Sequence, residues 1–130
     1  ELVVAKNLTN VIFTSWQKEI DIVNAGLDII CLTSLNEGTP VSLIEAQASA
    51  KPIVTTNVGG VKNIIRNNKS AFCVEKDDLD GFTNQLLSLI EDEELREEFS
   101  ENGSHVFESF HYTRLVNDIS SIYNDGLSQI

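Results

Sequence analysis

Thr33-Ser34-Leu35-Asn36-Glu37-Gly38-Thr39-Pro40-Val41-Ser42-Leu43-Ile44-Glu45-Ala46 decides how this chain folds. It follows Ile29-Ile30-Cys31-Leu32, an apolar run of the right length for a buried strand and too short for a helix. Small polar residues then form a loop. Thr39 is placed to cap a helix whose first position is Pro40, where a missing N–H costs nothing. That helix reads on through Ala50. Strand, loop and helix N-terminus therefore follow in order, with one carboxylate in the loop and a second eight positions later. In parallel α/β sheets ligands bind at this kind of junction, where free helix N–H groups face an anion.

The flanks repeat the pattern. Downstream, Lys51-Pro52 interrupts the helix and Ile53-Val54-Thr55-Thr56 reads as the next strand. Asn57 to Gly60 is a loop, Val61 to Asn67 a short helix, and Ala71-Phe72-Cys73-Val74 another strand. From Asp80 the period becomes helical, with Leu79, Phe82, Leu86, Leu87 and Ile90 on one side and a break near Asp92. A last helix spans about Tyr112 to Gly126, with Leu115, Val116, Ile119, Ile122 and Tyr123 on one side. Upstream, Val11-Ile12-Phe13-Thr14 is a strand candidate. A helix follows from about Gln17 to Ala25, with Ile20, Val23 and Asn24 inward, and Gly26 stops it at the C′ position. Glu1 to Lys6 reads as the tail of an earlier element. Four alternations of short apolar strand and helix-length crossover predict an α/β fold: a parallel-sheet, Rossmann-like three-layer domain.

With 130 residues the chain suffices for a single domain, 1–130, and not for two. A formal net charge of −11 excludes nucleic acid, whose phosphates need a positive field. Twelve of the 20 acids fall between Glu75 and Glu108, and the run through Glu101 reads as a solvated helix face. No apolar run approaches the roughly 20 residues of a transmembrane helix, and no basic-then-apolar segment near Glu1 reads as a signal peptide. Cys31 and Cys73 sit in strand-like runs and are expected to be small buried hydrophobes in a reducing cytosol. Neither they nor His105 and His111 have metal-ligand spacing.

Glu37 is a loop carboxylate at a strand's carboxyl end, the position where function concentrates. Glu45 is the only charge between Glu37 and Lys51, on a helix otherwise of Val, Ser, Leu, Ile, Ala and Gln. So little charge predicts a largely buried helix, with Ser42, Glu45 and Ser49 either a polar stripe to water or a ligand surface. The two carboxylates would stand on the order of 10 Å apart, a spacing suited to the two ends of an extended ligand. Adjacent Gly59 and Gly60 allow close backbone approach, either in a tight structural turn or along a site.

Ser34-x-x-Glu37-Gly38-x-Pro40-x-x-x-x-Glu45-Ala46, followed by Ala50-Lys51-Pro52-Ile53-Val54-Thr55-Thr56-x-Val58-Gly59-Gly60, closely resembles the retaining GT-B glycosyltransferases of family 4. Phe13-x-x-Trp16 and Ala25-x-x-Asp28-Ile29 resemble that family's flanking motifs. The resemblance implies the C-terminal, nucleotide-sugar-binding half of a GT-B fold. It implies transfer of a hexose from a UDP- or GDP-sugar, with retention, to a saccharide or lipid-linked acceptor. Glu37 would be the catalytic contact to the donor sugar. The amides of Gly38, Thr39 and Val41 would hold sugar and diphosphate, Ser42 a phosphate, and Glu45 the ribose, with Gly59 and Gly60 lining the site. No Asp-x-Asp falls within these motifs, the one in the chain being Asp78-Leu79-Asp80, so neither a metal nor another cofactor is expected.

Several positions depart from the family pattern. Ser15 and Ala50 stand where glycines are usual, Pro40 lacks an amide that relatives often supply, and Lys62-Asn63 replaces a frequent Pro-Glu. The resemblance also implies a missing first strand–helix unit, whose Arg and Lys neutralise the diphosphate, and a missing N-terminal acceptor domain. The fragment alone is therefore expected to be inactive, and the parent cytoplasmic or peripheral at the inner membrane face. A nucleotide-sugar epimerase of related fold and a non-catalytic module of that fold are the rival readings.

Overall fold

The computed structural model describes residues 1–127. Three parallel strands form its sheet in the order β1 (Ile30–Leu32), β2 (Ile53–Thr56), β3 (Ala71–Val74). The register aligns Ile30, Ile53 and Ala71 across the sheet, and Cys31, Val54 and Phe72 beside them. All four residues of β2 are buried, as expected of a central parallel strand covered on both faces.

The pleat sends alternate residues into two cores. On one face Ile53 and Ala71 pack with Leu43 and Ala46 of helix α3 (Val41–Ala48), together with Val58, Val61 and Ile64. On the other, Val54 packs with Leu89 of α4 (Leu79–Glu91) and Phe99 of α5 (Glu93–Glu108). The rings of Phe72 and Phe99 lie 4.7 Å apart there. Asp78 caps α4 by accepting from the Gly81 amide at 2.8 Å, and Asp92 caps α5 by accepting from Leu95 at 2.9 Å. Asp92 is extended, so it ends α4 and starts α5, the break anticipated near that residue. Gly103 brings α5 against α3, its position 3.6 Å from the Gln47 side chain if a Cβ were present.

Fully buried Gln47 ties α3 to the segment before β3. Its Nε2 donates to the Ile64 carbonyl at 2.7 Å and its Oε1 accepts from the Ser70 hydroxyl at 3.2 Å. The helix then ends in a Schellman turn: the Ala50 amide donates to Gln47 O and the Lys51 amide to Ala46 O, each at 3.0 Å. Ala50 occupies the left-handed position of that turn, with φ 51°.

Some expectations need correcting. Val11–Thr14 forms no strand, because among the described residues its backbone finds no strand edge to pair with; Ile12 and Phe13 stay 84% and 80% exposed. Glu1 to Lys6 holds a short helix, α1 (Leu2–Ala5), and the helix expected from Gln17 begins later, as α2 (Ile20–Ala25). Gly26 closes α2 with φ −83°, in right-handed backbone rather than in the left-handed form usual at C′. Val61–Asn63 is a single 3₁₀ turn, since Ile64 and Ile65 turn into the core instead of extending a helix. Pro40 is the N-cap of α3 and not its first residue, and no side chain caps the helix, Thr39 included. Cys31 is exposed on the outer strand and Cys73 half-buried, both free, although enough water is lost at each sulfur to push the thiol pKa up. Helix α6 (Tyr112–Leu127) carries the apolar side read from its period, and that side buries nothing among the described residues. No helix there is long and apolar enough to cross a membrane.

Candidate functional site

The carboxyl ends of β1 and β2 place the loop of residues 33–39 beside the start of α3. Its carboxylate is held by a chain of short hydrogen bonds. Thr56, the last residue of the central strand, donates its hydroxyl to the Ser34 carbonyl at 2.7 Å. Ser34 in turn donates its own hydroxyl to Glu37 Oε1 at 2.6 Å. Such a bond to a charged acceptor is short and strong, and fixes the side chain's rotamer. Glu37 is only half-buried.

Gly59 and Gly60 lie directly against this loop. A Cβ at Gly59 would stand 1.7 Å from the Glu37 carbonyl oxygen, and one at Gly60 2.3 Å from that of Gly38. The Gly60 amide donates to Gly38 O at 2.9 Å. Gly59 also takes φ +51°, where glycine alone is unstrained. The pair therefore makes a close backbone approach, and its partner is the Glu37 loop itself.

The start of α3 is uncapped, and Val41, Ser42, Gly38 and Thr39 are all exposed around it. Exposed amides at the positive end of a helix form an anion site. Glu45 lies about 6 Å further along the axis. It is half-buried, on a helix less buried than its low charge predicted, because only Leu43, Ala46 and Gln47 take the inward side. Ser42 and Glu45 share the open stripe.

Glu45 lines a cleft of about 570 Å³ whose opposite wall is the segment 14–18 with Ile20 and Val23. Trp16 and Lys18 belong to that wall. Reading the residues left both without a role, Trp16 having served only as a family-like flank. Lys18 also puts one cation on the lining of the cleft that Glu45 shares. The signal was a Trp within the polar run Ser15-Trp16-Gln17-Lys18, where no core could absorb it.

A family model, glycosyl transferases group 1, matches residues 2–106. The "UDP-Gal:alpha-D-GlcNAc-diphosphoundecaprenol alpha-1,3-galactosyltransferase" of Escherichia coli is 27% identical over 110 residues, 85% of this chain and 28% of that protein. The "N-acetyl-alpha-D-glucosaminyl L-malate synthase" of Bacillus anthracis is 31% identical over 130 residues, 97% of this chain and 34% of that protein. The chain thus spans about a third of the length of these curated relatives. Among solved structures, Anabaena HepE in complex with UDP superimposes with a TM-score of 0.88 at 20% identity, covering 95% of this chain and 35% of that one. The likeness identifies the sheet and its helices as the Rossmann-like α/β domain of the GT-B architecture.

Proposed function

The chain belongs to the glycosyl transferases group 1 family, and we propose that it is the donor-binding domain of a retaining hexosyltransferase of the family-4 kind, missing its first strand–helix unit. The parent would add the N-terminal acceptor domain and transfer the hexose to a saccharide or lipid-linked acceptor. UDP is the first nucleotide to test, since the galactosyltransferase relative is named for a UDP-sugar and HepE was solved with UDP. The observation that carries this reading is the Thr56–Ser34–Glu37 chain of hydrogen bonds, set beside an uncapped helix start.

In this reading Glu37 contacts the donor sugar, and its charge stabilises an oxocarbenium-like centre as the bond to the diphosphate breaks. Amides of Gly38, Thr39 and Val41 receive the growing negative charge on the departing diphosphate, with Ser42 donating to a phosphate oxygen. Glu45 accepts from the ribose hydroxyls. Gly59 and Gly60 line the site from below by holding the Glu37 loop in place. Amide dipoles take the role that a metal has in other transferases, so no metal is required. The fragment alone would bind without turning over, in a parent that is cytoplasmic or peripheral at the membrane's inner face.

The test is hexose transfer by the full-length protein from UDP- and GDP-sugars, with the product anomer read by NMR. Glu37→Ala is expected to abolish transfer and Glu45→Ala to raise the donor KM. Unchanged transfer by both variants would remove these two assignments, and an inverted product would remove retention.

A further inference from the structure

The amino ends of the strands, at the end of the sheet opposite the Glu37 loop, carry a second cleft that the nucleotide-sugar reading leaves unused. The connections from α2 to β1 and from α3 to β2 meet α5 there. One lobe, of about 360 Å³, is polar and is lined by Lys51, Glu93 and Glu97. The other, of about 490 Å³, is lined by Leu27, Ile29 and Ile90. Asp28 and Arg96 line both, so the lobes are joined. Each lobe has the capacity of a small-molecule site. Leu27 and Ile90 stay 41% and 54% exposed, which leaves apolar surface for a ligand to cover. Both cations are aimed by helix ends. Lys51 Nζ donates to the carbonyl of Ala25, the last residue of α2, at 3.1 Å. Arg96 Nη1 donates to the Leu89 and Ile90 carbonyls in the last turn of α4, at 2.7 and 3.0 Å. Carbonyls at a helix end lack intrahelical partners, so each cation is fixed in direction by a group that the fold must satisfy. One bond on an ammonium with three donors, and two on a guanidinium with five, leave N–H groups uncommitted. Among the described residues neither cation forms an ion pair, although Asp28, Glu93 and Glu97 line the same space.

This lining selects its ligand by charge. A polyanion meets three carboxylates on a chain of net charge −11, and a simple cation meets Lys51 and Arg96. An uncharged apolar molecule fills one lobe and leaves the charges of the other unmatched. A small zwitterion with an apolar side chain matches all of it. We propose that this cleft binds an apolar α-amino acid. Its carboxylate lies on Arg96 and Lys51, its ammonium faces Asp28 and the α5 carboxylates, and its side chain covers Leu27, Ile29 and Ile90. The proposal does not depend on the nucleotide-sugar reading, since the cleft shares no residue with the Glu37 loop or with the open stripe of α3.

The test follows the amide NMR spectrum of the chain during titration with L-leucine. Isocaproate, isoamylamine and glycine serve as probes that each lack one part: the ammonium, the carboxylate or the side chain. Expected are saturable shifts from leucine centred on Asp28, Lys51 and Arg96 and none at Glu37. Each incomplete probe should bind on the order of tenfold more weakly. Lys51→Met keeps the aliphatic stem and removes the charge, and Ile90→Ser removes apolar surface from an exposed position. In each variant, shown to be folded by a cooperative melt, leucine should bind about fivefold more weakly or worse. The proposal is overturned by the absence of saturable shifts, by shifts centred elsewhere, or by any incomplete probe binding as tightly as leucine. Undiminished leucine binding in either folded variant also overturns it. None of these results bears on the nucleotide-sugar reading.

Discussion

Gly59→Ala tests how tightly the Glu37 loop is built. The added Cβ would stand 1.7 Å from the Glu37 carbonyl oxygen and 2.7 Å from its carbon, whereas real Cβ contacts stay above 3.0 Å. Glu37 must therefore recede by at least 1.3 Å, the difference between the first and last of these distances. The residue would also carry a side chain at φ +51°, which costs about 1–2 kcal/mol. Overpacking adds about 1–3 kcal/mol, for a total of roughly 2–5 kcal/mol. At this chain length that lowers the melting temperature by about 10 °C or more. Below that temperature the displacement falls on the carboxylate proposed to face the sugar, and a 1 Å misplacement costs on the order of 100-fold in rate. Thermal melts of the chain and transfer rates of the full-length protein read the two effects separately. Gly38→Ala is the internal control for the melt, because its Cβ would meet nothing within 4 Å and should change stability by under about 0.5 kcal/mol. A Gly59→Ala melt indistinguishable from that of Gly38→Ala would refute the backbone packing described between the two loops.

Ala50→Gly should stabilise the chain by about 0.5–1 kcal/mol, since the left-handed position at φ 51° favours glycine by more than the extra freedom of the unfolded chain offsets; a lower melting temperature would contradict this. Gln47→Leu preserves volume yet strips the Ile64 carbonyl and the Ser70 hydroxyl of a buried partner, and a chemical denaturation curve should show a loss of about 2–4 kcal/mol. Ser34→Ala frees the Glu37 carboxylate and should lower transfer by about tenfold with a melt shifted by less than the equivalent of about 1 kcal/mol, while Ser34→Thr keeps most of the activity. Burial raises the pKa of Cys31 and Cys73, and only thiolates react, so iodoacetamide should label both slowly near neutral pH and ever faster above about pH 8.5. A rate that levels off below that pH would place the thiols in a different environment.

How far the chain could be read depended on whether a signal was local. The β2 run Ile53–Thr56 and the caps Asp78 and Asp92 act within a few residues, and strand and helix boundaries there fell close to expectation. Val11–Thr14 has equal strand character, but pairing is a long-range event and no open edge meets it among the described residues. Cys31 was misplaced for a related reason: an apolar run predicts burial only when its strand is central, and β1 is an outer strand of the sheet. Thr39-Pro40 matched two separate helix-start preferences, and the backbone satisfied one of them differently, placing Pro40 at the cap. Glu45 was legible as part of the open stripe it shares with Ser42. The burial of its helix was overestimated, because three apolar or amide side chains suffice to anchor a helix of eight residues.

The glycine pair shows why the site's spacing in sequence carries more than its two carboxylates. Glu37-Gly38 and Gly59-Gly60 are separated by a helix and a strand, yet their backbones touch, joined by the Gly60 amide to the Gly38 carbonyl. Thr56, just before the glycines, reaches the same loop through Ser34. Both restraints on Glu37 therefore originate at the end of the buried central strand, the part of the sheet least able to move. A carboxylate on a surface loop thereby acquires the rigidity of the core while keeping one face in water. The same construction implies that the two segments must change together. A side chain at either glycine requires residues 33–39 to be rebuilt, and a shortened loop would leave the Gly60 amide without its acceptor.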